Sequence, residues 1–329
     1  MALVLIEGFD HLTAAEVTAK GWTANPSSMQ AGQFAGQCAR CSFAALTKTL
    51  PSTYSTVIAG FAYRPDSSAD INEFFTILTG AGSTILTLSL DTGTGGHLVV
   101  KNSGGTTIAT GTTVISASTW YYIEVKLFVN GASGTVEVHL GGATEIASTT
   151  GNFGSTNAGQ ISLNKQSRGR SWDYDDIYVA DTSGAAPRNT FLGDVRVQTI
   201  YPTGAGAHTA WTPDSGSNYA RVNETLADGD TSYISDATPG DIDTYVFGDI
   251  DAAATVLAVQ TNLYARKDDA NTRQIAPVVR QSGTDYAGTT VTLTSSYVAY
   301  TQIYNQDPTV ADWTASAVNA NEFGVKEVA

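Results

Sequence analysis

The stretch from Trp172 to Asp181, WDYDDIYVAD, carries four of the chain's 31 acidic residues, Asp173, Asp175, Asp176 and Asp181, interleaved with aromatic and β-branched side chains. Carboxylates this dense could hold a metal ion or divide the acid and base roles of a hydrolase. Period 2 argues against convergence. In an extended strand Tyr174, Asp176, Tyr178 and Ala180 share one face, while Asp173, Asp175, Ile177, Val179 and Asp181 share the other. Ile177 and Val179 are then the core contacts and Tyr178 points outward. The acids are expected to be solvated or to cap backbone at the strand's ends, and a bulge is the device that would shift the phase.

The remaining reactive residues are sparse. Cys38 and Cys41 form CARC, but structural zinc needs four ligands, and His11, His97, His139 and His208 are scattered. GQCARCSFAAL reads as a strand and not as the helix start a redox motif requires, so the two thiols are expected on opposite faces. Two loops are oxygen-rich enough to suggest calcium: Asp228-Gly229-Asp230 with Asp236, and Asp241-Ile242-Asp243. Asp in a turn ordinarily bonds its own backbone, which is the expectation for both. Glu7 and Asp10 are three apart and face opposite ways if extended, and no E-x-D-x-x-E run occurs. The nucleophile elbow, HExxH, P-loop and dinucleotide fingerprints are missing. GTGG, NSGG and TGAGAH lie between strands and read as turns. No catalytic, cofactor-binding or metal-binding residue is assigned, and no cofactor is expected. The chain reads as a non-enzyme.

The elements that must position these residues are strands. Charged residues make up 15% of the 329, and 32 glycines accompany abundant Thr and Ser, a mix that favours strands and turns. A net charge of −14 with no basic cluster argues against nucleic acid as partner. No apolar run approaches a membrane span, and MALVLIEGFDH lacks the basic start of a signal peptide. Synthesis in a cytoplasm is expected. Strand signals recur in VLIEGF, QCARCSFAAL, YSTVIAGFAYR, NEFFTILTG, STILTLSL, GHLVVKN, TTIATGTTVI, TWYYIEVKLFVN, GTVEVHLGG, QISLN and DYDDIYVAD, the spacing of an antiparallel sandwich. Only AAEVTAKG, Ala14 to Gly21, suggests a helical turn or two. In the clearest hairpin, Ile123, Val125, Leu127 and Val129 alternate against Val136, Val138 and Leu140. That alternation puts Glu124, Lys126, Glu137 and His139 together on the other face, as Lys126–Glu137 or Glu124–His139 pairs. Trp120, Tyr121 and Tyr122 cannot all be buried.

The pattern breaks at TSGAAPRN, which sets the boundary near Ala185 and gives modules over 1–185 and 186–329. The second restarts with GDVRVQTIYP, NYARVNE, SYISD, DTYVFGDI, TVLAVQTNLYARK, RQIAPVVRQSG and SSYVAYTQIYNQ. The fifth and sixth read as one long hairpin turning at KDDANT. Pro308 and the Asp312-Trp313-Thr314 run predict a short helix with Val310, Trp313 and Val318 near one face, followed by a final strand FGVKEV. The fold expected is all-β: two consecutive antiparallel β-sandwiches, jelly-roll-like, with at most one or two short helices.

LIEGFDH, TWYYIEVKLFVNGASGTVEVHLGG and WDYDDIYVAD, in that order, resemble the concanavalin A-like lectin/glucanase jelly roll in its laminin-G-like form, as met in bacteriophage virion proteins. The likeness covers roughly residues 1–183. It implies a sandwich whose first and last segments pair, and the glucanase acid motif is absent. The remainder looks like a second β module attached to such domains. The resemblance implies a virion structural protein, a capsid decoration or a tail or fibre component. Its expected partners are other virion proteins and copies of itself. The alternative is a glycan-binding module displayed on the particle and meeting a host surface glycan; a polysaccharide-degrading enzyme ranks below both.

Overall fold

The computed structural model describes residues 3–66, 72–91, 93, 95–164 and 170–329. Met1 and Ala2 of the opening segment and Thr94 of GTGG lie outside them. The chain divides into two compact units, Met1–Val197 and Gln198–Ala329. The stretch 186–197, assigned by composition to the second module, therefore packs with the first. Its backbone supplies hydrogen bonds to the first sandwich, which local composition does not reveal.

The first unit is built from β1 (Leu3–Glu7), β2 (Ser28–Ala31), β3 (Gln37–Cys41), β4 (Leu46–Tyr54), β5 (Thr56–Pro65), β6 (Asn72–Thr79), β7 (Thr84–Asp91), β8 (His97–Asn102), β9 (Thr107–Val114), β10 (Tyr121–Phe128), β11 (Gly134–Leu140), β12 (Ala143–Gly151), β13 (Ala158–Leu163) and β14 (Trp172–Ala180). Sheet A runs β12-β11-β10-β5-β14-β3-β2 with β1 also on β14, and sheet B runs β4-β13-β6-β7-β8-β9. Leu5 lies opposite Val179 in the antiparallel β1–β14 pair, so the first and last strands meet as the resemblance implies.

Alternation explains the core. Val57, Ala59, Phe61 and Tyr63 of β5 and Ile123, Val125 and Leu127 of β10 face Ile77, Leu86, Leu88, Leu98 and Val100 of sheet B. Phe61 stacks on Phe75 with ring centroids 4.5 Å apart, and Tyr63 on Phe74 at 4.4 Å. Such pairs add about 0.5–1.5 kcal/mol each beyond the area they bury. The β10–β11 register follows the apolar pattern: Ile123 opposes Leu140, Val125 opposes Val138 and Leu127 opposes Val136.

Strands β2, β4 and β12 are not visible in the sequence pattern. All three are outermost in their sheets, where alternation weakens because little surface is covered. Pro51 in β4 has no N–H to give, which an edge strand tolerates. The β12 edge is closed by Glu145, whose Oε1 accepts N–H from Thr112 at 2.5 Å and Thr113 at 2.8 Å on β9.

The second unit comprises β15 (Pro202–Thr209), β16 (Thr212–Pro213), β17 (Ile234–Ser235), β18 (Ile242–Phe247), β19 (Val259–Ala265), β20 (Gln274–Gln281), β21 (Thr284–Ala287), β22 (Val291–Thr292), β23 (Val298–Tyr304), α1 (Ala315–Ala320) and β24 (Glu322–Glu327). One sheet runs β15-β18-β24-β20-β21 with β22 on β20, a β19-β23 ladder forms a second layer, and β16 pairs β17. Val279 and Phe323 pack with Trp313, Val259 and Tyr304, and Ile275 and Val325 with Leu263 and Tyr300. Both units are thus antiparallel and the chain is all-β. Its helical content among the described residues is α1 and 3-10 turns at Ala14–Lys20 and Asn218–Arg221.

Five expectations for the second module are corrected. β19 and β20 do not form a hairpin, because their apolar residues meet across the two layers and each strand finds other partners, β23 and β24. NYARVNE begins as the 3-10 turn, not a strand. GDVRVQTI is irregular, and TGAGAH, read as a turn, lies in edge strand β15. A Cβ on Gly206 would collide with Glu322, Thr244 Oγ1 and the Thr244 carbonyl, so glycine here serves close strand approach. Lastly, of the three residues expected near one helical face only Val318 lies on the helix, which starts after its N-cap Thr314; Trp313 before it is buried and Val310 is 72% exposed.

Candidate functional site

β14 is buried along its whole length, so its acids are not the solvated groups that period 2 predicted. The cause is a bulge. The ladder to β5 shifts register between Asp175 and Tyr178, and Asp176 takes a left-handed φ of 50°. The shift lets Trp172 and Tyr174 join Ile177 and Val179 in the core. Asp173, Asp175 and Tyr178 then lie opposite Arg64, Ala62 and Gly60 on the outer face. A Cβ on Gly60 would overlap the Tyr178 ring, so that ring needs glycine beneath it.

The three buried acids do not converge on one point. Asp173 is gripped by two guanidiniums: Arg40 Nε donates to Oδ1 at 2.7 Å, and Arg64 Nε to Oδ2 at 2.8 Å. Asp175 accepts the Gln33 N–H at 2.9 Å and its neighbour's N–H at 2.9 Å. Asp176 accepts the Val197 N–H at 2.6 Å. Burial pushes Asp175 up to about 8, aided by the Asp176 charge, and burial with Asp10 and Asp194 nearby pushes Asp176 up to about 7. Asp181 alone behaves as a turn cap, accepting N–H and hydroxyl from Ser183.

Residues 186–197 lie over this outer face without regular structure. Glu124, fully buried on β10, is their anchor: its Oε1 accepts N–H from Leu192 at 2.8 Å and Gly193 at 3.0 Å, and the Tyr178 hydroxyl at 2.5 Å. Burial raises the Glu124 carboxyl above its ordinary range. Phe191 stacks on His139 at 3.8 Å. The expected backbone pairs are in register, Glu124 with His139 and Lys126 with Glu137. Their side chains turn to other partners, Glu124 to Tyr178 and Glu137 to His139 on its own strand at 3.0 Å. Trp120 is half-buried with Arg64 4.6 Å above its ring, while Tyr122 is buried.

At the rim of this face the turn joining β2 to β3 presents Phe34, 53% exposed, with the Arg196 guanidinium 5.7 Å from its ring. Gln33 beside it is half-buried, and its amide oxygen, buried from solvent, meets no hydrogen-bond donor among the described residues. Asp10 accepts the Gln37 N–H at 2.8 Å on the same turn. An aromatic face and an amide on this turn therefore lie beside a guanidinium from residues 186–197 and carboxyls from β14 and the segment after β1.

The other candidates disperse. Cys38 and Cys41 are free thiols on opposite faces of β3, Cys41 in the core, and burial pushes Cys38 up to about 12 and raises Cys41 further. Such thiols are poor nucleophiles. Of the suggested calcium loops, Asp230 pairs with Arg266 at 3.0 Å and Tyr297, Asp228 accepts from Ser232, and Asp236 accepts the Thr238 N–H. Buried Asp243 accepts from Asn218 and the Tyr245 hydroxyl. No group of three or more metal-ligating side chains occurs among the described residues. One buried pair escaped the sequence reading. Glu7 accepts from Lys20 Nζ at 2.9 Å and Trp22 Nε1 at 3.2 Å. Burial works to raise the Glu7 carboxyl, but Lys20, His11 and the Phe9 N–H hold it below its usual range. Its partners lie beyond β1, so strand periodicity gave no signal.

No family model and no curated protein matches the sequence. Among solved structures, similarity extends to a sialidase at 11% identity and TM-score 0.39, over 55% of this chain and 19% of that one. It extends also to the carbohydrate binding module CBM66 from Bacillus subtilis, at 12% identity and TM-score 0.33 over 49% and 96% of the two chains. A third is domain 4 of AbnA, a GH43 extracellular arabinanase from Geobacillus stearothermophilus, in complex with arabinotriose, at 15% identity and TM-score 0.39 over 55% and 93%. The chain thus spans about a fifth of the sialidase, and identities and TM-scores this low define no shared ligand or activity.

Proposed function

We propose that the chain is a non-catalytic recognition protein whose first sandwich binds a glycan at the loop rim around Phe34. One observation carries the reading: an exposed aromatic ring on a loop beside Gln33 and Arg196, with carboxyls behind it. A flat apolar ring takes the C–H face of a sugar, and a few fixed polar groups take its hydroxyls. Against hydrolysis stands the fate of the acids. Asp173 is held by arginines and Glu124 by a hydroxyl and two backbone N–H groups, so neither is free to approach a substrate.

The test is a glycan array of the intact chain, run with and without calcium, with Phe34→Ala as comparison. A hit lost in Phe34→Ala supports the reading. Hits unchanged in that variant, or none at all, remove it; release of oligosaccharide from polysaccharide would remove the non-catalytic part. Display on a bacteriophage particle, as the resemblance implies, belongs to the same proposal, with capsid or tail proteins and further copies of the chain as partners. Mass spectrometry of purified particles checks it, since a displayed protein must appear among the virion peptides.

A further inference from the structure

We propose that residues 186–197 are a strap that closes over the outer face of sheet A and is released when the Asp175 and Asp176 carboxyls lose their protons. Two of the points that hold the strap are buried acids of the sheet; the Arg196 guanidinium also lies 5.7 Å from the Phe34 ring, and Arg188 is buried. At one, Glu124 takes the N–H groups of Leu192 and Gly193 while Phe191 lies on His139. At the other, Asp176 takes the Val197 N–H, and the Val197 side chain sits so close to Gly8 that a Cβ there would touch it at 3.0 Å. Asp175 and Asp176 are adjacent, each 3% exposed; the strap meets Asp176 directly, and Asp175 lies behind it against the Gln33 N–H. Backbone N–H groups meet their oxygens, from Gln33, Asp176 and Val197.

The charges around the pair are unfavourable to two carboxylates. Asp10 faces it from the segment after β1 and Asp194 from the strap, and Arg196 on the strap is the opposing cation. Arg40 of β3 and Arg64 of β5 are committed to Asp173. From β10 the Tyr122 hydroxyl donates to the Asp176 carbonyl, and Cys38 on β3 is a neutral thiol. At the first point the titratable neighbours are Glu124, Tyr178, Glu137 and His139. Burial, with the Asp176 charge beside Asp175 and the Asp10 and Asp194 charges beside Asp176, holds the protons up to about 8 and 7 against the ordinary 3.8, outweighing the Val197 N–H and Arg196, which favour a charged Asp176. Protons are therefore retained by the closed form and given up by the open one between these limits. Closure is strongest at low pH, weakens as pH rises from about 4, and levels off above about 8. Opening would uncover Ile58, Ala62, Tyr122, Glu124 and Tyr178, and each freed residue would add about 3.5 Å of reach to the chain leading to Gln198.

Limited chymotrypsin cleavage after Phe191 and Leu192 in the full chain, normalised at each pH to a free peptide of the strap sequence, reads the opening. The expected result is a cleavage rate that climbs between pH 5 and 8, up to roughly tenfold per pH unit per proton released, then levels. Asp176→Asn, which keeps an acceptor for the Val197 N–H, and Asp175→Asn/Asp176→Asn should each reduce the climb. Glu124→Gln should speed cleavage at every pH while keeping it. A flat wild-type profile overturns the proposal whatever the variants do. So does an unreduced climb in folded Asp176→Asn, even if the double variant fails to fold. The cleavage readout uses no glycan, so its failure is distinguishable from failure of the Phe34→Ala comparison, although Arg196 belongs to both the strap and the Phe34 rim.

Discussion

The two faces of sheet A come from alternate residues of the same strands, yet they become interior by different means. The inner face is apolar, with Phe61, Ile123, Val125, Ile177 and Val179 meeting sheet B. The outer face carries Glu124, Asp173, Asp175, Asp176 and Tyr178, buried just as deeply, and is roofed in part by an irregular segment whose N–H groups meet Glu124 and Asp176. Burial of the first kind follows from side-chain hydrophobicity, and burial of the second depends on a hydrogen-bond partner for each charge. The inner face should therefore fail by losing volume, the outer face by losing a partner.

The comparison breaks most visibly at Phe61. Phe61→Ala removes a ring packed on Phe75 and Tyr174 and should cost about 3–5 kcal/mol, read as a lower urea midpoint. Asp173→Ala strands two guanidiniums. Because their side chains are 33% and 26% exposed, the cost should fall below that of a fully buried pair, at about 2 kcal/mol. Equal losses for these two variants would erase the distinction between the faces. Lys126→Ala samples the solvated end of the outer face, where Lys126 is half-buried. It should move stability by less than about 0.5 kcal/mol.

Legibility in the sequence divides along the same line. The inner face and the β10–β11 register were readable because apolar alternation states which residues must share a side. Edge strands β2, β4 and β12 were not, since one-sided cover leaves weak alternation. The acidic run of β14 was misjudged for a physical reason. Its phase depends on the bulge at Asp176, and the burial of its acids depends on arginines from β3 and β5 and on a segment following the strand. Phe34 gave no signal of its own, because an exposed ring is recognised only when its surroundings are known. In the second unit, strand β15 hid behind TGAGAH, where Gly206 serves close approach to β18 and β24 and not a turn.

The most direct test of the roofed outer face is amide hydrogen exchange at pH 5, residue by residue. The account predicts that Leu192, Gly193 and Val197 exchange far more slowly than a free chain, while their neighbour Asp194, exposed and outside these hydrogen bonds, exchanges fast. Exchange of all four at free-chain rates would contradict it, and the outer face of sheet A would then be an open surface.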